Sequence, residues 1–364
     1  MNASEIAKLA QIASALEVSG YPKPGNVHRT RDFPDMEFED FIISGIVIGD
    51  TIREACIDVD VENPQLGKYI LQAVSETDKW IKNNTNLGIV MMTVPIAVAA
   101  SISDSFEDME FEDFIISAIV IGDTIREACT DVDIKNPKLG KYILKAVGET
   151  DKWIKNNTNL GIVMMTTPIA VAAAISDNFN EIRENIKLLM SNTSVDDACD
   201  LYDAINIADA GGMGDQDEYD VASDNAKNEL RENSQTMYDV LKISAPWDML
   251  AREMTSDMPA VFEIGYPAYH KFKNEKTKNE ACLLTFLTIL SQVPDTLISR
   301  KYGSDEALKI SMMTRDLLNI KDSSDFIDKV KDFDDYLYKN KYNPGTTADL
   351  TAASIFVSYL KSNF

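Results

Sequence analysis

The chain has 364 residues, 45% of them apolar, and a formal net charge of −24 at pH 7. This is enough apolar matter for one large core or two smaller ones. The acidic balance argues against a nucleic-acid backbone or an anionic membrane as partner. Cys56, Cys129, Cys199 and Cys282 stand far apart with no C-x-x-C spacing and no signal peptide ahead of them, so reduced thiols in a cytoplasmic protein are expected. The longest apolar run, Leu87 to Ile102, contains Pro95 and falls short of the roughly 18 residues a membrane span requires.

In chain order the elements read as helices. Ser4 caps a segment reaching Val18, with Ile6, Leu9, Ile12, Ala13 and Leu16 at helical spacing and Gly20 as its stop. From about Glu37 to Val59, Phe38, Phe41, Ile42, Gly45, Ile48, Ile52 and Ala55 form one face of a second helix. Asn63-Pro64 opens a third, carrying Leu66, Tyr69, Ile70, Ala73, Val74, Thr77 and Trp80. The helix after "NNTNLG" is apolar nearly all round and is expected to be central and buried. Downstream, 179–190, 195–208, 226–250, 280–290, 304–317 and 348–360 continue the helical period. No stretch alternates with period two for long enough to make a sheet. The expectation is an all-α fold, a single multi-helix bundle over residues 1–364 carrying an extra helical segment.

That segment is a tandem repeat. Residues 33–105 and 106–178 align without a gap at an offset of 73, and only eleven positions differ, among them Pro34/Glu107, Gly45/Ala118, Ile57/Thr130 and Val94/Thr167. Solenoid repeats keep their apolar skeleton while the surface drifts. Here exposed-looking lysines such as Lys79/Lys152 and Lys82/Lys155 are kept as well, which reads as a recent or engineered duplication inside an older fold. An idle copy would expose a strongly apolar helix, so packing or homo-oligomerisation is expected to cover it.

The loops between helices carry the polar chemistry. In "YPKPGNVHR", Pro22 and Pro24 stiffen the backbone beside Lys23, Gly25, Asn26, His28 and Arg29. "NNTNLG", at 83–88 and again at 156–161, sets amides and a hydroxyl before a buried helix, where free N–H groups favour anions. "DAGGMGDQDEYD", residues 209–220, mixes three glycines with five acidic residues and suits a hard cation such as Mg²⁺. "PDTLISRKYG" places Arg300 and Lys301 side by side, and "NPGTTADL" puts Thr346 and Thr347 at a helix start suited to phosphate. Each stretch also has a plainer reading as a turn, a cap or a solvated end. Asp196, Asp197 and Asp200 form a D-D-x-x-D that can hold Mg²⁺-diphosphate, but in so acidic a chain an exposed helical face is the simpler reading. His270 reads as structural.

Taken in order, "YPKPGNVHR", "DMEFEDF", "NTNLG", "GGMGD", "PDTLISRKYG" and "NPGTTADL" resemble the CitG/MdcB family, the triphosphoribosyl-dephospho-CoA synthases, and its archaeal branch in particular. The resemblance covers nearly the whole chain once one repeat copy is set aside, leaving 291 residues. It implies an all-helical enzyme that joins C1 of the ATP ribose to a hydroxyl of 3′-dephospho-CoA and releases adenine. It also implies ATP as substrate, Mg²⁺, a dephospho-CoA-like acceptor, and no nucleic-acid or membrane partner. Carried onto this sequence, the catalytic candidates are Asp35, Glu39 and Asp349. Lys23, Gly25, Asn26, His28, Arg29, Asn157, Thr158, Asn159, Arg300, Lys301, Asn343, Gly345, Thr346 and Thr347 are candidates for holding ATP, and Asp215 and Asp217 for the metal. Asn86 and Asn159 stand where bacterial members carry a histidine, and "PGTTADL" replaces "PGGSADL", so a related transferase acting on another cofactor precursor is an alternative. A helical scaffold that binds a protein partner, and a prenyl-diphosphate enzyme resting on "DDACD", are the other two.

Overall fold

A computed structural model describes residues 3–19, 27, 29, 32, 37–57, 66–81, 111–153, 159–208 and 219–364. Among these residues every regular element is helical and no strand occurs. The chain divides into two compact units, Met1–Gly122 with Lys152–Thr158, and Asp123–Asp151 with Asn159–Phe364.

In the first unit α1 (Ala3–Ser19) packs on α2 (Phe38–Ile57), and α2 packs on α3 (Leu66–Asp78). Their shared core is Ala7, Ala10, Ile48, Ile52, Ala55, Tyr69 and Ala73. Small residues let the backbones approach: Gln11 Nε2 donates to the Ile46 carbonyl at 2.5 Å, and Ser14 lies against Gly45. The helix expected after Asn83–Gly88 lies outside the described residues.

The second unit begins within α4 (Phe111–Thr130) and continues through α5 (Leu139–Trp153) into α6 (Leu160–Ala174). As its composition predicts, α6 is buried on nearly every side, from Leu160 through Ala172, despite Pro168 within it. It packs against α7 (Glu181–Ser191) and the last helix of the chain, Gly345–Asn363. Then come α8 (Val195–Ile207), α9 (Ala226–Glu232), α10 (Met237–Ser244) and α11 (Met249–Thr255), a π-turn over Ala260–Gly265, and α12 (Tyr266–Phe272). α13 (Lys278–Gln292), α14 (Thr296–Tyr302), α15 (Ser304–Asn319), α16 (Phe326–Lys339) and α17 (Gly345–Asn363) complete the unit. Leu284, Leu287, Leu290, Ile298, Ile310, Leu317, Phe326, Phe333 and Leu337 share one of its apolar clusters.

Two readings of the sequence need correction. Residues 226–250 are not one helix but three starts, because Ser234 takes φ 52° and Thr236 begins a new helix with a capping box to Asp239. "PDTLISRKYG" is not a loop after a helix: Asp295 caps α14, which carries Arg300 and Lys301 in its last turn.

Candidate active site

Four helix starts meet in the second unit. Asp248 stands just before α11 in extended conformation, and its Oδ1 accepts the N–H groups of Leu250 and Ala251 at 2.8 and 3.1 Å. Its other oxygen accepts from Nη1 of Arg300. Asp295 does the same for α14, accepting from Leu297 and Ile298 at 2.9 and 3.1 Å. Its Oδ2 accepts both the N–H and the hydroxyl of Thr347, each at 2.8 Å. Between them Thr296 Oγ1 accepts the Met249 N–H at 3.2 Å and lies 3.1 Å from Thr346 Oγ1. The starts of α11, α14 and α17 are thus tied by side chains to one another.

The fourth start is α6. Its Ile162 N–H donates to the Asp349 carboxylate, and Gly161 presses so closely on that carboxylate that an added Cβ would collide with it. Neither Asn159 ahead of α6 nor Pro344 ahead of α17 caps its helix with its own side chain; donors at these starts go instead to carboxylates, the Ile162 N–H to Asp349 and the Thr347 N–H to Asp295. Asp349 is pushed up to about 8, first by burial and then by the negative charges of Asp295 and Asp248. It is therefore largely a neutral acid at pH 7, able to donate a hydrogen bond or a proton. Burial also pushes Asp295 up, against its four hydrogen bonds. Arg300 keeps its Nε buried with no hydrogen-bond partner among the described residues, a donor left over beside Asp248.

Of the residues expected at the site, the structure brings together Arg300, Thr346, Thr347 and Asp349. Gly345 rests on Leu297 at the start of α17. Lys301 and Asn343 are exposed nearby in sequence. Asn159 is buried, and its Nδ2 donates to Thr150 Oγ1 at 2.7 Å, fastening the end of α5 to the start of α6. Arg29, exposed, and Glu39, in the first turn of α2, belong to the first unit. Lys23, Gly25, Asn26, His28, Asp35, Asn157, Thr158, Asp215 and Asp217 lie outside the described residues. Among the described residues no group of three or more histidines, cysteines and carboxylates is arranged to hold a metal ion. Asp248 and Asp295 are spent on helix caps and their cross-links, so these two carboxylates do not fit Mg²⁺. Sequence reasoning missed Asp248, Asp295, Thr296 and Gly161. Aspartates just ahead of helix starts were the available signal.

The D-D-x-x-D of α8 has another use. Asp197 is buried, forms a capping box with Ser194, and accepts the Gly140 N–H at 2.8 Å. Asp203 pairs with Lys227.

The CitG family, described as ATP:dephospho-CoA triphosphoribosyl transferase, matches residues 3–104 and 101–364. The chain belongs to this family. The two matches together span both repeat copies and every motif quoted above, and membership makes this CitG-family chain a pentosyl transferase. A crystal structure from Archaeoglobus fulgidus, of a protein described as a triphosphoribosyl-dephospho-CoA synthase, is similar with a TM-score of 0.54 and 21% identity. The likeness covers 67% of this chain and 97% of that one, and it shows the all-α fold. No curated protein matches the chain.

Proposed function

We propose that this CitG-family chain transfers the triphosphoribosyl group of ATP to a hydroxyl of 3′-dephospho-CoA, with adenine as leaving group, and that Asp349 and the helix starts around it take part. The observation that carries this reading is a largely neutral carboxyl held against Gly161 at the start of α6, one turn into α17. In the reaction the bond from ribose C1 to adenine breaks and a bond from C1 to the acceptor oxygen forms. The departing adenine needs a proton, and Asp349 has one to give at neutral pH. The acceptor hydroxyl must lose its proton, for which Asp35 and Glu39 are the candidates in the sequence. Positive charge builds on the ribose as the bond to adenine breaks, and the Asp248 and Asp295 carboxylates stabilise it at a distance. Arg300 and Lys301, with Thr346 at the start of α17, supply donors for the triphosphate.

Lys23, Asn26, His28 and Arg29 are assigned to phosphate as well, and Mg²⁺ on Asp215 and Asp217 belongs to the same proposal, with no step routed through it. A cytoplasmic location and a homo-oligomer covering spare apolar surface complete it. Among the described residues no single helix is long and apolar enough to cross a membrane.

Incubation of the purified chain with ATP and 3′-dephospho-CoA, followed by mass spectrometry, tests this reading. Free adenine and an acceptor heavier by a triphosphoribosyl group are expected in equal amounts. Intact ATP and unmodified acceptor after prolonged incubation, with and without Mg²⁺, overturn it.

A further inference from the structure

Asp295 is 1% exposed, and no cation among the described residues is in hydrogen-bond contact with it. Burying a carboxylate without a counter-ion is costly unless strong donors surround it. Here four do, three N–H groups and one hydroxyl, all within 3.1 Å. Capping α14 uses only one carboxylate oxygen. The second oxygen reaches 52 residues along the chain to Thr347, and nothing about capping α14 requires it.

What that second oxygen does follows from helix geometry. Residues two apart on an α-helix point to nearly opposite sides. Thr347 faces α14 through Asp295, and Asp349 faces α6 through Gly161 and Ile162. The first turn of α17 is held from both sides, and the grip on one side fixes the angle on the other. We propose that Asp295 is the positioning residue of this site: by holding Thr347 it sets the rotation and depth of the first turn of α17, and so where the Asp349 carboxyl stands. This rests on the reading of Asp349 as part of the transferase site.

A second consequence is electrostatic. The charged and titratable groups facing Asp349 are Asp295 at the start of α14 and Asp248 at the start of α11, while Arg300 on α14 is turned to Asp248. The negative charge of Asp295 therefore helps keep the proton on Asp349, so one residue places the acid and helps keep it protonated.

The test uses D295N, T347V and T347S in the full chain. In D295N the amide oxygen can still cap α14, but its NH₂ meets the Thr347 N–H donor to donor. T347V keeps shape and removes only the hydroxyl; T347S keeps the hydroxyl. Carboxyl ¹³C titration of Asp349, assigned with D349N, needs no substrate. A clearly lower midpoint is expected in D295N, a smaller fall in T347V, and a return to wild type in T347S. In the transferase assay kcat falls by about 10²-fold in D295N, with the KM for ATP little changed. The alkaline limb of its pH profile moves to lower pH. If D295N does not fold, T347V against T347S decides. An Asp349 midpoint unchanged in every folded variant overturns the positioning role, whatever the activity. A wild type that transfers nothing overturns the functional reading, while the titration still decides the positioning role.

Discussion

Asp349 and Glu253 are carboxyls that the fold drives toward the neutral form, and burial is the leading cause for both. Glu253 is fully buried on α11, with one oxygen accepting the Ala260 N–H and the other the Val261 N–H, each at 3.0 Å. It is pushed up to about 7, the pull of Arg183 notwithstanding. Unfolded, such groups titrate near 4. The native state therefore holds protons that the unfolded chain releases between about pH 4 and pH 8. Their stabilisation is complete below the unfolded value and is lost as pH rises through 7 for Glu253 and 8 for Asp349. Urea midpoints measured from pH 6 to pH 9 are expected to fall in the wild type and to fall less steeply in D349N and in E253Q. Slopes equal to wild type in both variants would show that neither carboxyl is neutral in the native protein. D349N is also expected to lose about 10²-fold or more of transferase activity while remaining folded. At this scale the sequence was half legible. Asp349 was marked by its place in "NPGTTADL", because a motif is local. Asp295 lies in a quoted motif too, yet its weight comes from Thr347, a contact 52 residues away that no local pattern shows.

At the scale of elements, apolar periodicity placed α1, α2, α3, α6, α7, α8, α13, α15 and α17, because each buries a continuous face. It ran on wrongly from Ala226 to Leu250, where the apolar period survives two breaks that Ser234 and Pro246 signal locally. It passed over α16, whose apolar residues are thinly spread among aspartates and lysines. The π-turn over Ala260–Gly265 has a cause the sequence contains. Pro267 has no N–H to give the Glu263 carbonyl, and the Tyr266 N–H bonds back five residues to Val261. "DDACD" is an element-scale case in which a functional pattern serves a structural end. Asp197 closes the capping box of α8 and accepts a backbone N–H from α5. Asp200 makes no such link and is pushed up by burial and by its acidic neighbours. D197A is expected to cost about 2 kcal/mol or more, the sum of a lost cap and an orphaned buried N–H. D200A should cost little or stabilise. Urea unfolding of both variants measures this; equal losses would remove the special role given to Asp197.

At the scale of the whole molecule the two repeat copies occupy unlike surroundings. In the first, Gly49 is buried against Gln11 of α1; in the second, the matching Gly122 is exposed, and an added Cβ there would meet none of the described residues within 4 Å. Ile52 is fully buried, whereas its counterpart Ile125 is only partly so. α1 is seated on the first copy, while α5 and α6 of the second are fastened to α8, α7 and α17. With eleven differences in 73 positions, one copy contains both sets of contact residues. A chain with a single copy can therefore seat α1 and supply the buried helix as well. Deleting residues 33–105 brings Ala118 under Ser14 in place of Gly45. Crowding of that kind costs about 1–3 kcal/mol, and alanine recovers about 1 kcal/mol in helix propensity over glycine. Among the described residues Ser14 Oγ has no hydrogen-bond partner to lose by turning aside, which puts the crowding at the low end. Deleting residues 106–178 instead keeps Gly45 and replaces the Lys145–Glu127 pair with Gln72 beside Glu54, which already bond at 2.6 Å. That exchange is small, because exposed ion pairs contribute at most about 1 kcal/mol. Both 291-residue chains are therefore expected to fold cooperatively, within about 2 kcal/mol of each other by urea unfolding, and to bind ATP alike by calorimetry. If only one of the two folds, the copies have already diverged beyond exchange at the few positions where they differ.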